Sequence, residues 1–136
     1  MSDAAIAFGV PESHADLLSQ PLVGVLTTIG ADGLPQSTAL WYLLDEGELK
    51  ISVMTSRQKY KNLLADPKAT LFIFDPKTTG KTLEIRGEVE IRPDPDQAQA
   101  ARFAPTYGFA ASEWDPDGTI RALLVLKPKR IVAFGG

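Results

Sequence analysis

From Thr82 to Arg92 the chain alternates with little error: Leu83, Ile85, Val89 and Ile91 point one way, while Glu84, Arg86, Glu88, Glu90 and Arg92 point the other. Strand side chains switch faces at every residue, so this period of two predicts a strand with one face in a core and one in water. Several further stretches read as strands. Leu22 to Ile29 is aliphatic and β-branched, and the turn Gly30-Ala31-Asp32-Gly33 leads to a hairpin partner from Gln36 to Leu44. Asp45-Glu46-Gly47 turns the chain into a third strand from Glu48 to about Met54, completing an antiparallel meander. Ala69 to Phe74 reads as a buried strand. Ala122 to Phe134 reads as a last strand, bent or interrupted at Pro128.

Helices are fewer and short. Pro11 and Ser13-x-x-Asp16 predict a capped helix running to about Ser19, and Pro21 ends it. Ser56 reads as the N-cap of a second helix that Pro67 closes, with Tyr60, Leu63 and Leu64 on the face turned to the sheet. Asp94 to Phe103, with Asp94 or Asp96 as cap and an Ala-rich body, predicts a third. Pro105 to Gly118 reads as irregular or a short helix. The sum is a mainly β, α+β chain of about six antiparallel strands with two to three short helices. A closed or partly closed barrel removes the edges of such a sheet. At 136 residues, without repeats or a long linker, residues 1–136 are expected to form one domain.

Composition narrows the chemistry. The chain has no Cys, which removes disulfides, thiolate metal sites and a Cys nucleophile, and its one His excludes two-His metal motifs. His14 lies in the first helix turn with no nucleophile motif nearby, so a structural or exposed role is expected; no G-x-S-x-G, Walker A or G-x-G-x-x-G sequence occurs. Asp115-Pro116-Asp117-Gly118 lacks the remaining ligands of a calcium loop and reads as a turn. Much of catalysis is therefore closed to the side chains alone, and no metal site is expected. The net charge of -3 argues against nucleic acid or an anionic membrane as partner. No run is long enough to span a bilayer and the N-terminus lacks a basic leader, so the expected location is the cytoplasm.

Charge is unevenly placed. Residues 1–49 hold seven acids and no Lys or Arg, whereas Lys50, Arg57, Lys59 and Lys61 follow with no acid among them. Two readings of this cluster stand: a solvated helix face, or an anion site in which Arg57 and Lys59 join the free N–H groups of a helix capped by Ser56. Bases at a helix N-terminus oppose its dipole, which favours the second. Trp41-Tyr42 puts one aromatic on each face of a strand. Core packing is the common outcome, while an outward Trp can stack on a planar ring or lie in a dimer interface. Gln36, Ser37 and Thr38 add polar groups near that strand's start.

The ordered set Asp32-Gly33-x-Pro35-Gln36, Leu40-Trp41-Tyr42, Ser52, Arg57-x-Lys59, Asn62-Leu63-x-x-Asp66-Pro67-x-Ala69 and Arg86-Gly87 resembles the pyridoxamine 5′-phosphate oxidase-like flavin-binding split barrels. Within them it is most similar to small actinobacterial proteins classed as probable F-420-dependent enzymes. The resemblance implies a six-stranded split barrel and a homodimer with cofactor sites at the interface. It also implies that Arg57 and Lys59 hold a cofactor phosphate, that Ser52 assists, and that Gln36 and the backbone near Leu40 and Trp41 lie against the ring system. The redox chemistry would then belong to the cofactor. The sequence ends at Phe134-Gly135-Gly136 without the Arg/His-rich segment of true pyridoxamine-phosphate oxidases, so that oxidation is not expected. The leading expectation is coenzyme F-420 as a hydride source for a small unsaturated or quinone-like substrate. The alternatives are an FMN-binding reductase or oxidase, and a non-catalytic binder or carrier. Lys61, Lys77, Lys81 and Arg102 are candidates for the polyglutamate tail of F-420.

Overall fold

The aliphatic stretch after Pro21 forms β1 (Val23–Ile29), which pairs antiparallel with β2 (Pro35–Trp41) from Val23 opposite Trp41 to Ile29 opposite Pro35. This computed structural model describes Ala5 and residues 8–135. The β1–β2 turn is closed by Asp32, whose Oδ1 accepts the Leu34 N–H at 3.0 Å, and by Gly33 at a φ of +83°.

The second predicted strand does not run unbroken to Leu44. It stops at Trp41, leaves Tyr42 outside any ladder, and resumes as β3 (Leu43–Asp45), which pairs with β4 (Glu48–Met54). Glu46 and Gly47 both have positive φ, the pattern of a two-residue hairpin turn. The strands thus number seven, not six: β5 (Lys68–Phe74), β6 (Thr82–Pro93) and β7 (Arg121–Phe134) complete the set. All pairings are antiparallel, in the order β2-β1-β5-β6-β7-β4-β3.

That order has a geometric consequence. β2 and β3 are the two edges of the sheet, yet one residue separates them in the chain, so Trp41 and Leu43 lie within about 7.6 Å. The sheet must roll until its edges nearly meet at Tyr42. No ladder joins the edges among the described residues, so the barrel is rolled but not hydrogen-bonded shut.

The interior holds Leu26, Leu49, Ile51, Leu71, Ile73, Leu83, Ile85 and Leu124, all buried, with Leu17 and Tyr42. Each such burial contributes about 1.5–3 kcal/mol before entropy is counted. The alternation in β6 falls as expected, with Leu83 and Ile85 inside and Arg86 and Glu90 exposed. Gly87 is required there. A Cβ at this position would lie 1.9 Å from the Lys127 carbonyl oxygen. The irregularity expected at Pro128 is a bulge: Arg86 faces Arg130, the next pair is Gly87 with Pro128, and Lys129 is left over.

The helices depart further from expectation. Glu12–Leu18 is a 3-10 helix, not an α-helix, and Ser13 does not cap it, because its hydroxyl bonds His14 Nδ1 at 2.7 Å. His14 is buried, with Nε2 3.0 Å from the Phe134 carbonyl, a structural role. α1 (Gln58–Ala65) takes Arg57 as its N-cap residue instead of Ser56, without a side-chain cap bond. Leu63 packs inward as expected, but Leu64 is exposed and Asn62 takes the inner place, donating to Thr28 Oγ1 and Gln36 Oε1. The long helix expected from Asp94 breaks into α2 (Ala98–Ala101) and α3 (Ala104–Tyr107), and Pro105 in the first turn of α3 starts that second segment. The N-cap residue of α2 is Gln97, at a φ of +60°, and neither Asp94 nor Asp96; the Asp94 carboxylate nevertheless accepts the Gln99 and Ala100 N–H groups at 3.0 Å each. Ala111–Trp114 adds a second 3-10 turn. Residues 121–126 of β7 are buried on both faces, Ala122, Leu124 and Leu126 in the interior and Leu123 and Val125 on the side of this helical excursion. No helix among the described residues is long and apolar enough to cross a membrane.

Candidate functional site

A cleft of about 270 Å³ opens between the outer side of β4 and β7 and the helical excursion. β4 supplies Ser52 and Met54, and β7 supplies Arg121, directly opposite Met54 in the ladder. The end of β2 brings Leu40 and Trp41, and the start of α1 brings Arg57 and Lys59. Ala100, Phe103 and Ser112 close the far wall.

Trp41 is held in place. Its ring stacks on Tyr107 at 4.3 Å between centroids, 12° from parallel, and meets the edge of Phe109 at 5.2 Å. Tyr107 is fixed in turn by its phenol oxygen, which lies 2.8 Å from the Leu22 carbonyl and 2.7 Å from that of Tyr42. Burial pushes the Tyr107 phenol up to about 12, which favours its neutral, hydrogen-bonding form. The aromatic wall of the cleft is therefore anchored to the point where the barrel splits.

The charges are asymmetric. Arg57 is exposed and Lys59 half-buried, and among the described residues neither forms an ion pair. Burial, and then the like charge of Arg57, hold the Lys59 ammonium below its ordinary value. A half-buried cation beside a second cation and without a counter-ion is an unfavourable arrangement that an anion relieves. At the start of α1 the Arg57 N–H donates to the Met54 carbonyl at 3.1 Å and the Tyr60 N–H to the Arg57 carbonyl at 3.2 Å, so the two side-chain cations carry the attraction for an anion. Arg121 differs. Its side chain is buried and forked onto Asp115, Nε to Oδ2 at 2.6 Å and Nη2 to Oδ1 at 2.9 Å, while Nη1 donates to Ser52 Oγ at 3.1 Å.

Five residues singled out in the sequence thus line one cleft: Leu40, Trp41, Ser52, Arg57 and Lys59. Gln36 lies elsewhere, in a depression with Asp32, Gln58 and Asn62, where its Oε1 accepts from Asn62 Nδ2 at 2.6 Å. Ser56 is exposed beside the cleft without lining it. Of the bases considered for a tail, Lys81 is paired with Asp16 and Arg102 with Asp45, while Lys61 and Lys77 are exposed. Arg121 was not anticipated; the only signal is a single base opening an otherwise apolar strand from Ala122 to Leu126.

The sequence profile of pyridoxamine 5′-phosphate oxidase matches residues 10–134. The chain belongs to the pyridoxamine 5′-phosphate oxidase family. Solved structures place this family member near F-420-type enzymes. It is 36% identical to an F-420 reductase, covering 90% of this chain and 98% of that one with a TM-score of 0.82. The conserved hypothetical protein Rv2991 of Mycobacterium tuberculosis is 25% identical over 99% of this chain and 85% of its own, with a TM-score of 0.71. A heme-binding protein of Mycobacterium smegmatis is 26% identical with a TM-score of 0.70, covering 100% of this chain but only 55% of that one. No curated protein matches the chain.

Proposed function

We propose that the cleft holds the phosphate of the deazaflavin coenzyme F-420 and that the protein is a cytoplasmic, single-domain reductase. It would pass hydride from the reduced coenzyme to a small unsaturated or quinone-like acceptor. The observation that carries this reading is the unpaired Arg57–Lys59 couple on the wall of a cleft that also presents Ser52 and the Trp41 ring. Arg57 offers a planar fork to phosphate oxygens, Lys59 a point charge, and Ser52 a hydroxyl. Leu40, Trp41 and Phe103 give the same cleft apolar and aromatic surface suited to excluding water from a flat ring. The coenzyme supplies the hydride chemistry, and the chain binds, orients and shields it. The 36% identity to an F-420 reductase supports F-420 over other phosphate-bearing rings.

FMN is the second reading, and one observation favours it. Lys81 and Arg102 are committed to Asp16 and Asp45, which removes two of the four bases considered for the acidic tail that distinguishes F-420. Heme fits poorly, because the one His is buried and bonded to the Phe134 carbonyl. A homodimer belongs to the proposal as well. The face of the sheet turned away from the core exposes Val23, Phe72, Val132 and Phe134, apolar surface that a second copy would cover while completing a cofactor site.

The test is to reduce F-420 and FMN separately and follow reoxidation with a panel of enones, quinones and nitro compounds. Turnover with F-420 alone supports the reading. Turnover with FMN alone replaces it with the second, and tight binding without turnover makes the protein a carrier.

A further inference from the structure

Arg121 occupies a position that cofactor binding alone does not require. Its side chain is 6% exposed and its partner carboxylate, Asp115, 5% exposed. A guanidinium has donors and no acceptor. Two of its nitrogens are spent on Asp115, and the third donates to Ser52 Oγ. A serine hydroxyl has one proton and two lone pairs, so a hydroxyl that accepts from Arg121 keeps its own proton free to donate. Among the described residues no acceptor takes that proton. Ser52 lines the cleft and so presents a donor to its occupant. The same fork holds the Asp115 carboxylate against Arg121, where its charge is cancelled instead of facing the anion that Arg57 and Lys59 attract.

We propose that Arg121 is a positioning residue that sets the polarity of the cleft: it fixes Ser52 as a donor and masks Asp115 from an incoming anionic group. This rests on the reading of the cleft as a cofactor-phosphate site. It assigns the first residue of β7, and Asp115 in the segment before it, a part in recognising the anion, not only in closing the fold.

A structural clasp and a polarity device make opposite predictions for the two partners. Arg121→Gln frees Ser52 to rotate and exposes a carboxylate to the anion, so affinity falls. Asp115→Asn leaves Arg121 in place with its charge no longer cancelled, so affinity holds or rises even though the fold loses an ion pair.

The experiment is a fluorescence titration of the full chain with F-420, and in parallel with FMN, alongside the melting temperature of each variant. Arg121→Gln is expected to bind at least about tenfold more weakly, the loss of a charge-assisted hydrogen bond, and Asp115→Asn no more weakly than wild type. Ser52→Ala should weaken binding in the wild-type background and add nothing in the Arg121→Gln background. Affinity that falls in both Arg121→Gln and Asp115→Asn, in step with melting temperature, overturns the proposal in favour of a clasp. Unchanged binding in Arg121→Gln, with losses in Arg57→Ala and Lys59→Ala, overturns it and leaves the cofactor reading standing. Unchanged binding in all of them removes both. Where Arg121→Gln does not fold, Arg121→Lys keeps the charge without the fork: weaker binding supports the proposal and wild-type affinity overturns it.

Discussion

The phenol oxygen of Tyr107 sits 2.7 Å from the carbonyl oxygen of Tyr42 and 3.2 Å from its amide nitrogen. Tyr42 is the single residue between β2 and β3, where neither neighbouring strand can satisfy its backbone. A side chain 65 positions away therefore does the work of a missing strand at the split in the barrel. The same Tyr107 ring backs Trp41 in the cleft, so the split and the site share a support.

Tyr107→Phe keeps the ring and removes that oxygen. It strands the Tyr42 N–H and the Tyr42 and Leu22 carbonyls, and should cost about 1–3 kcal/mol by chemical denaturation. Because the stack on Trp41 survives, affinity for the cleft's ligand should change less than stability. An unchanged unfolding midpoint would mean that water replaces the phenol at no cost.

Gly87 and Gly33 should respond differently to alanine. At Gly87 the added carbon meets the Lys127 carbonyl at 1.9 Å, so β6 and β7 must separate, at a cost of about 2 kcal/mol or more. At Gly33 nothing lies nearby and only the φ of +83° resists, about 1 kcal/mol. Equal destabilisation of the two variants would argue against the bulge geometry at Gly87.

Acid should weaken the fold through Asp45 and Glu48. The hydrogen bond from Arg102, with help from Lys50, holds Asp45 at about 2, and that from Arg92, with help from Lys127, does the same for Glu48. Both groups bind protons less readily folded than unfolded, so their stabilisation is complete above about pH 5 and is lost as pH falls toward about 2. Asp45→Asn should flatten that part of the stability-against-pH curve. The same slope in wild type and variant would show that the pairing contributes nothing.

The two tryptophans offer an internal control. Trp41 lines the cleft, whereas Trp114 is 77% exposed and does not line it. Ligand binding should quench the emission of Trp114→Phe, which retains Trp41, and leave that of Trp41→Phe almost unchanged. Quenching confined to Trp41→Phe would put the ligand elsewhere.

What could be read in advance follows the range of the interactions. The alternation in β6 is local, and the strand appears where it was expected. Arg57 and Lys59 are neighbours in sequence and stay neighbours in the cleft. The break at Tyr42 was hidden, since Trp41 and Tyr42 both favour strands and only the distant Tyr107 marks the gap. Leu64 misled for a related reason. Its spacing fits an inner face, but the buried amide of Asn62 took that place through Thr28 and Gln36. Arg121 meets Ser52 only because the β4–β7 register brings together residues 69 apart, and nothing local predicts that.

The most direct test of the cleft is the dissociation constant of F-420 for wild type, Arg57→Ala and Lys59→Ala, measured at two salt concentrations. Each variant should bind about 10- to 100-fold more weakly, the loss of one charge-assisted phosphate contact, with a shallower dependence on salt. Equal affinity in all three proteins would contradict the assignment of the phosphate to this cleft.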